Sequence, residues 1–230
     1  MHIGIVACSA EGAALCYRTI AHEGAKHLGP HAHPRVTMDS ISLAEYQVFI
    51  DREDWPQVGE LMLRSAHTLA QAGADFLICP DNTIHQGLPF IEQRSPLPWL
   101  HIAAVVADEA RRRGFHRIGL LGTKWLVASE VYPQQLTARG LDYLRPSETD
   151  REAISRCIME ELVNGIFSAE SIATHQQVIT RLKEQGCDAV VLGCTEIPLI
   201  MSDENSPLPT LDSTRLLARA AVERAIKANR

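Results

Sequence analysis

This chain repeats itself, and the repeat limits it to a small set of folds. His2-Ile-Gly-Ile-Val-Ala-Cys8 matches Arg117-Ile-Gly-Leu-Leu-Gly-Thr123, with Tyr17 and Tyr132 following at the same distance. Further on, Gly73-Ala-Asp-Phe-Leu-Ile-Cys-Pro-Asp81 matches Gly186-Cys-Asp-Ala-Val-Val-Leu-Gly-Cys194. Ser95-Pro-Leu-Pro-Trp-Leu then matches Ser206-Pro-Leu-Pro-Thr-Leu, with a two-residue difference in spacing. Matches that keep one order along the chain point to two similar units of roughly 100 residues, each rich in βαβ elements.

Short apolar runs alternate with stretches of helical period, the pattern of parallel sheets flanked by helices. Strands are predicted at 2–7, 36–40, 75–80, 98–102, 117–122, 141–144, 188–193 and 208–211. Residues 56–72 carry Val58, Leu61, Met62, Ser65 and Leu69 on one helical face, with Gly73 as the stop. Thr149 and Glu152 have capping-box spacing. Ser171 suits the cap of a helix that Gly186 ends, Arg111–Arg113 suit a helix C-terminus, and Asp212-Ser213 opens a final helix. The predicted class is α/β, with two pseudo-symmetric doubly wound domains, each holding a roughly four-stranded parallel sheet. The boundaries are predicted as 1–100 plus 211–230 for the first domain and 101–210 for the second. The last helix is thereby expected to return to the first domain.

In open parallel sheets ligands bind beyond the carboxyl ends of the strands. Asp81 and Cys194 each directly follow a strongly apolar strand, at that end. Cys8 and Thr123 mark the tips of the paired first strands, with Ser9 and Lys124 next to them. Two such units facing each other across a cleft would present Asp81 from one side and Cys194 from the other, an arrangement for acting on both faces of one small molecule.

Composition removes other classes. Apolar residues make up 46% of the 230 and charged residues 22%, as in an ordinary globular chain. A formal charge of −6 speaks against a nucleic-acid or acidic-membrane surface, and no apolar run reaches the length of a membrane span. Met1 leads straight into a strand pattern, without the basic and apolar segments of a signal peptide. Six cysteines lacking CxxC spacing read as reduced thiols in a cytoplasm. His27, His31 and His33 read as loop histidines, so no metal is expected. No phosphate-cradling motif is present.

Asp81-Asn-Thr-Ile-His85 and Gly193-Cys-Thr-Glu196 resemble the paired motifs, usually written CNTxH and GCTE, of the aspartate/glutamate/hydantoin racemase superfamily. The resemblance covers nearly the whole chain and is closest to the aspartate/glutamate branch. It implies an enzyme needing neither pyridoxal phosphate nor metal, in which one thiolate removes the substrate α-proton and a second thiol reprotonates the opposite face. It implies a small amino acid or carboxylate as substrate, with Asn82, Thr83 and Thr195 holding its carboxylate. It also implies a homodimer. Ser9, Thr123 and Arg52 are further substrate-binding candidates, Arg52 equally suiting an ordinary salt bridge.

The chain departs from the family pattern in three places. Asp81 replaces the first catalytic cysteine, Ala7-Cys8-Ser9 replaces a Gly-Gly-Met turn, and Gly165-Ile166-Phe167 lacks a lysine common there. Free thiols titrate near pH 8.5 and free aspartate near 3.9, so Asp81 needs burial to serve as an acid. Cys194, near a helix N-terminus, is expected to favour the thiolate. Cys79 is predicted to point the same way as Asp81, one layer deeper. Asp81 also suits a plain helix cap, Glu196 an ordering role in its loop, and His85 a structural hydrogen bond. The functional expectation is a racemase using Cys194 and Asp81 on opposite faces. The alternatives are a one-base decarboxylase or isomerase of a small carboxylic acid using Cys194 alone, and a non-catalytic carboxylate-binding paralogue.

Overall fold

The computed structural model describes residues 1–227. The chain divides into two compact units: Met1–Ile102 with the segment from Thr214 onward, and Ala103–Ser213.

The first unit contains β1 (Ile3–Ala7), α1 (Ala10–Leu28), β2 (Val36–Ser40), α2 (Leu43–Ile50), α3 (Trp55–Gln71), β3 (Phe76–Ile78), a 3-10 helix (Thr83–Phe90) and β4 (Trp99–Leu100). The second contains most of α4 (Ile102–Arg112), then β5 (Arg117–Leu121), α5 (Lys124–Ala128), α6 (Val131–Thr137), β6 (Asp142–Leu144), α7 (Glu148–Arg156), α8 (Ala169–Glu184), β7 (Ala189–Leu192) and β8 (Thr210–Asp212). The last helix, α9 (Ser213–Lys227), belongs to the first unit from Thr214 on. There Arg224 stacks over the Phe76 ring, and the amino terminus donates to the Ala225 carbonyl.

Each unit holds a four-stranded parallel sheet, ordered β2-β1-β3-β4 in the first and β6-β5-β7-β8 in the second. Central strands β1, β3 and β7 are buried along their whole length, so they read as unbroken apolar runs. Edge strand β2 is only partly covered, which fits its mixed Val-Thr-Met-Asp-Ser sequence. In α3 Asp54 caps the first turn, Pro56 sits where its missing N–H costs nothing, and Val58, Leu61, Met62, Ser65 and Leu69 are buried. Burying each large apolar side chain stabilises by about 1.5–3 kcal/mol.

The repeat recurs in the hydrogen bonds of each unit. Asp75 takes the His2 backbone N–H, as Asp188 takes that of Arg117. Pro98 accepts from Leu77 N–H, as Pro209 does from Val190 N–H. Ser95 and Ser206 each bond a carbonyl two residues on. Gly73 and Gly186, at φ +84° and +91°, turn the chain from helix to strand in a conformation that strains other residues.

Several predicted details shift. α7 is capped by Ser147, whose hydroxyl accepts the Asp150 N–H, and Thr149 lies inside the helix. α8 is capped by Ser168 rather than Ser171, whose own N–H is the donor and whose hydroxyl donates to Glu161. The strand predicted at 98–102 is confined to Trp99–Leu100 because α4 begins at Ile102. His27 lies in the last turn of α1, not in a loop.

Candidate active site

Strand order decides where a ligand can bind. In the first unit the chain leaves β1 for β2 on one side and reaches β3 on the other, so its switch point lies between β1 and β3. In the second unit the corresponding point lies between β5 and β7. At such points the loops leaving adjacent strand ends diverge and open a crevice.

Ser9 and Asp81 meet at the first switch point. The Asp81 carboxylate accepts the Ser9 backbone N–H at 3.0 Å, where α1 begins. The Ser9 hydroxyl caps α1 through the Gly12 N–H. The cap position of the 3-10 helix after Asp81 is held by Asn82, which makes no side-chain cap bond there. The Asp81 carboxylate faces the amino end of α1, which favours an anion. Asn82 is buried and directs its amide toward the Pro80 carbonyl, and Thr83 opens the 3-10 helix, partly exposed.

The Asp81 backbone is held as well. Its carbonyl accepts from the Cys79 thiol at 3.6 Å and bonds the His85 Nδ1 at 2.8 Å. A carbonyl partner assigns the ring proton to Nδ1, which leaves Nε2 to accept the Ile102 N–H at 3.5 Å. His85 thus ties the motif to the start of α4. Burial, then the charge of Asp81, push the Cys79 thiol well up, so it holds its proton.

Burial, helped by His101, pushes His85 down to about 3 from its ordinary 6.5. Between those values the unfolded chain binds a proton that the folded protein refuses. The stability present above the unfolded value is therefore lost as pH falls toward 3, at up to about 1.4 kcal/mol per pH unit. Urea midpoints at about pH 7 and about pH 4.5 test this, with His85→Gln expected to lose less stability between them than the wild type.

At the second switch point stand Thr123 and Cys194. The Thr123 hydroxyl caps α5 through the Leu126 N–H at 3.3 Å. That is the role of Ser9 in the first unit, so the capping counterpart of Ser9 is Thr123 rather than Lys124. Along the repeat, β5 and α5 both begin one residue earlier than β1 and α1 do, with the same two-residue link between strand and helix. Lys124 pairs with Glu152 and lies over the Trp125 ring.

Cys194 is 8% exposed, at the edge of the second unit's core. Its sulfur donates to Glu196 Oε2 at 3.0 Å, and the Thr195 hydroxyl donates to the same oxygen at 2.6 Å. The following 3-10 turn, Ile197–Leu199, is too short to supply much of a helix dipole. A buried carboxyl group within hydrogen-bonding reach of the thiol stands where the sequence suggested a helix terminus, and while charged it opposes a thiolate rather than favouring one. Moving that proton to Oε2 leaves a thiolate beside a neutral acid. The Gly-Cys-Thr-Glu spacing sets Glu196 two residues after Cys194, and the fold brings the two side chains together.

Arg52 lies in the exposed turn between α2 and α3, not at a strand tip. Among the described residues no helix is long and apolar enough to cross a membrane.

A family model described as Asp/Glu/Hydantoin racemase matches residues 3–221. The chain belongs to the Asp/Glu/hydantoin racemase family. A Yersinia pestis structure provisionally assigned as an Asp/Glu racemase is 32% identical, with a TM-score of 0.87 over 98% of this chain and 100% of that one. An aspartate racemase homologue from Pyrococcus horikoshii OT3 is 26% identical, with a TM-score of 0.83 over 98% and 99% of the two chains. The broad specificity amino-acid racemase RacX of Bacillus subtilis (strain 168) is 24% identical over 176 residues, 74% of this chain and 73% of RacX. As a family member with two repeated units, the chain carries an acid/base-capable side chain after the strand at each switch point: Asp81 after β3 and Cys194 after β7.

Proposed function

We propose that this chain is a cofactor-independent amino-acid racemase. Cys194 as thiolate removes the α-proton of one enantiomer, and protonated Asp81 returns a proton to the opposite face; the roles reverse for the other enantiomer. The observation that carries this is the Cys194–Glu196 contact, which gives a buried thiol a proton acceptor at 3.0 Å. Asn82, Thr83 and Thr195 are assigned to the substrate carboxylate, with Ser9 and Thr123 shaping the loops beside it and Arg52 a peripheral contributor. The family and the similarity to RacX, a broad specificity amino-acid racemase, support an amino acid as substrate, with aspartate, glutamate and related amino acids as the first to assay.

A second reading rests on one observation. The Asp81 carboxylate already accepts the Ser9 N–H, which favours the charge that proton donation requires it to lack. On that reading Cys194 and Glu196 work on one face alone, as in a decarboxylase or isomerase of a small carboxylic acid. Proton NMR in deuterium oxide separates the two. A racemase incorporates deuterium at the α-position starting from either enantiomer of at least one of aspartate, glutamate, alanine and lysine. Absence of exchange with every member of the panel, together with a chiral product from an arylmalonate, would establish the one-base reading instead.

A further inference from the structure

Among the described residues, a few buried side-chain polar atoms lack a hydrogen-bond partner, and one belongs to the neighbourhood of Asp81: the hydroxyl of Tyr46. Tyr46 lies on α2, which begins just past the end of β2, and its side chain is 0% exposed. Burial, and after it the neighbouring Cys79, Cys8, Asp81 and Asp39, push the phenol up, so it holds its proton. Parallel pairing puts the carboxyl ends of β2, β1 and β3 on one edge of the sheet, and α2 starts three residues past the end of β2 on that edge. Asp39 is near the end of β2, Cys8 follows β1, and Cys79 and Asp81 follow β3. These are three neighbouring strands, and their ends include the first switch point.

A buried hydroxyl without a partner lowers stability, and phenylalanine would fill the same volume without that cost. The tyrosine therefore contributes nothing to folding through its oxygen. Its proton is also unavailable as an acid at ordinary pH. What remains is a neutral donor on the sheet edge that also carries Asp81, whose carboxylate takes the Ser9 N–H. A second anionic oxygen brought beside Asp81 would need such a donor.

We propose that the Tyr46 hydroxyl is a substrate-binding donor of the first unit, completing its hydrogen bonding on a carboxylate oxygen of the bound amino acid. This rests on the proposed racemase reading in its choice of ligand but not in its geometry. Tyr46→Phe is the test, because it removes only the orphaned oxygen. The melting temperature is expected to stay level or rise by about 2–4 °C. With the best substrate of the exchange panel, kcat/KM should fall by about 10–100-fold, mainly through KM. Stabilisation against heat by the same amino acid should weaken in parallel. A lower melting temperature with unchanged KM and ligand response would overturn the proposal and make the hydroxyl a structural element. An active wild type matched by an equally active Tyr46→Phe overturns this inference alone. A wild type that neither exchanges nor is stabilised by aspartate, glutamate, alanine or lysine overturns the racemase reading together with it.

Discussion

Cys194→Ala is expected to slow α-proton exchange by about 10²–10⁴-fold for both enantiomers, with little change in stability. The thiol is the proposed base on one face and the acid on the other route, so its loss removes a partner from each direction. Asp81→Asn separates the two mechanisms more sharply. If Asp81 serves the opposite face, the variant retains Cys194–Glu196 chemistry: one enantiomer still exchanges its α-proton with solvent but no longer inverts. Chiral chromatography alongside NMR reads both quantities from one sample. Full racemisation by Asp81→Asn would show that Asp81 moves no proton. Glu196→Gln provides the companion measurement, since it keeps an oxygen near the thiol and the Thr195 hydroxyl but removes a basic acceptor. A fall in kcat with a displaced pH profile is expected, whereas a purely ordering role for Glu196 predicts an unshifted profile.

Gly193→Ala is expected to combine a large loss of activity with a clear loss of stability. A methyl at this position would lie 2.5 Å from the Leu121 carbonyl oxygen and 2.9 Å from Leu126 Cδ2. Neither the carbonyl nor its strand can give way cheaply, because the Gly193 N–H bonds that same carbonyl at 2.9 Å. Overpacking of this kind costs about 1–3 kcal/mol. The chain must shift at the residue preceding Cys194, and a displacement of about 1 Å at a reacting group costs about 10²-fold in rate. A urea midpoint and kcat/KM measured together test this. Normal activity in a destabilised variant would mean that the strand end relaxes without moving the sulfur.

Much of the architecture was legible because the units are repeated and their central strands are buried on both faces. Phe76–Ile78 and Ala189–Leu192 stand out as apolar runs, and the glycines before them mark the ends of the preceding helices. Helix starts were harder. Near α7 and α8 several Ser and Thr residues compete for the cap, and the choice depends on where the backbone leaves its extended conformation. Thr149 and Ser171 have suitable chemistry but already lie within helical turns, while Ser147 and Ser168 stand at the departure points. The counterpart of Ser9 was misplaced for a related reason: strand and helix both begin one residue earlier along the repeat in the second unit, so the cap falls on Thr123.

The sequence by itself determined the two-unit α/β organisation and the placing of Asp81 and Cys194 after equivalent strands, because both follow from local pattern and repetition. It could not determine what each side chain touches. The Ser9 N–H reaches Asp81 only because β1 and β3 are neighbours in the sheet, although the residues are 72 apart in the chain. The Glu196 carboxylate meets the Cys194 sulfur only because a tight turn after β7 folds it back. The Tyr46 hydroxyl is left without a partner beside three strand ends only in the folded unit. Hydrogen bonds and proton affinities depend on distance and burial, and those are set when the strands pair and the helices close over them.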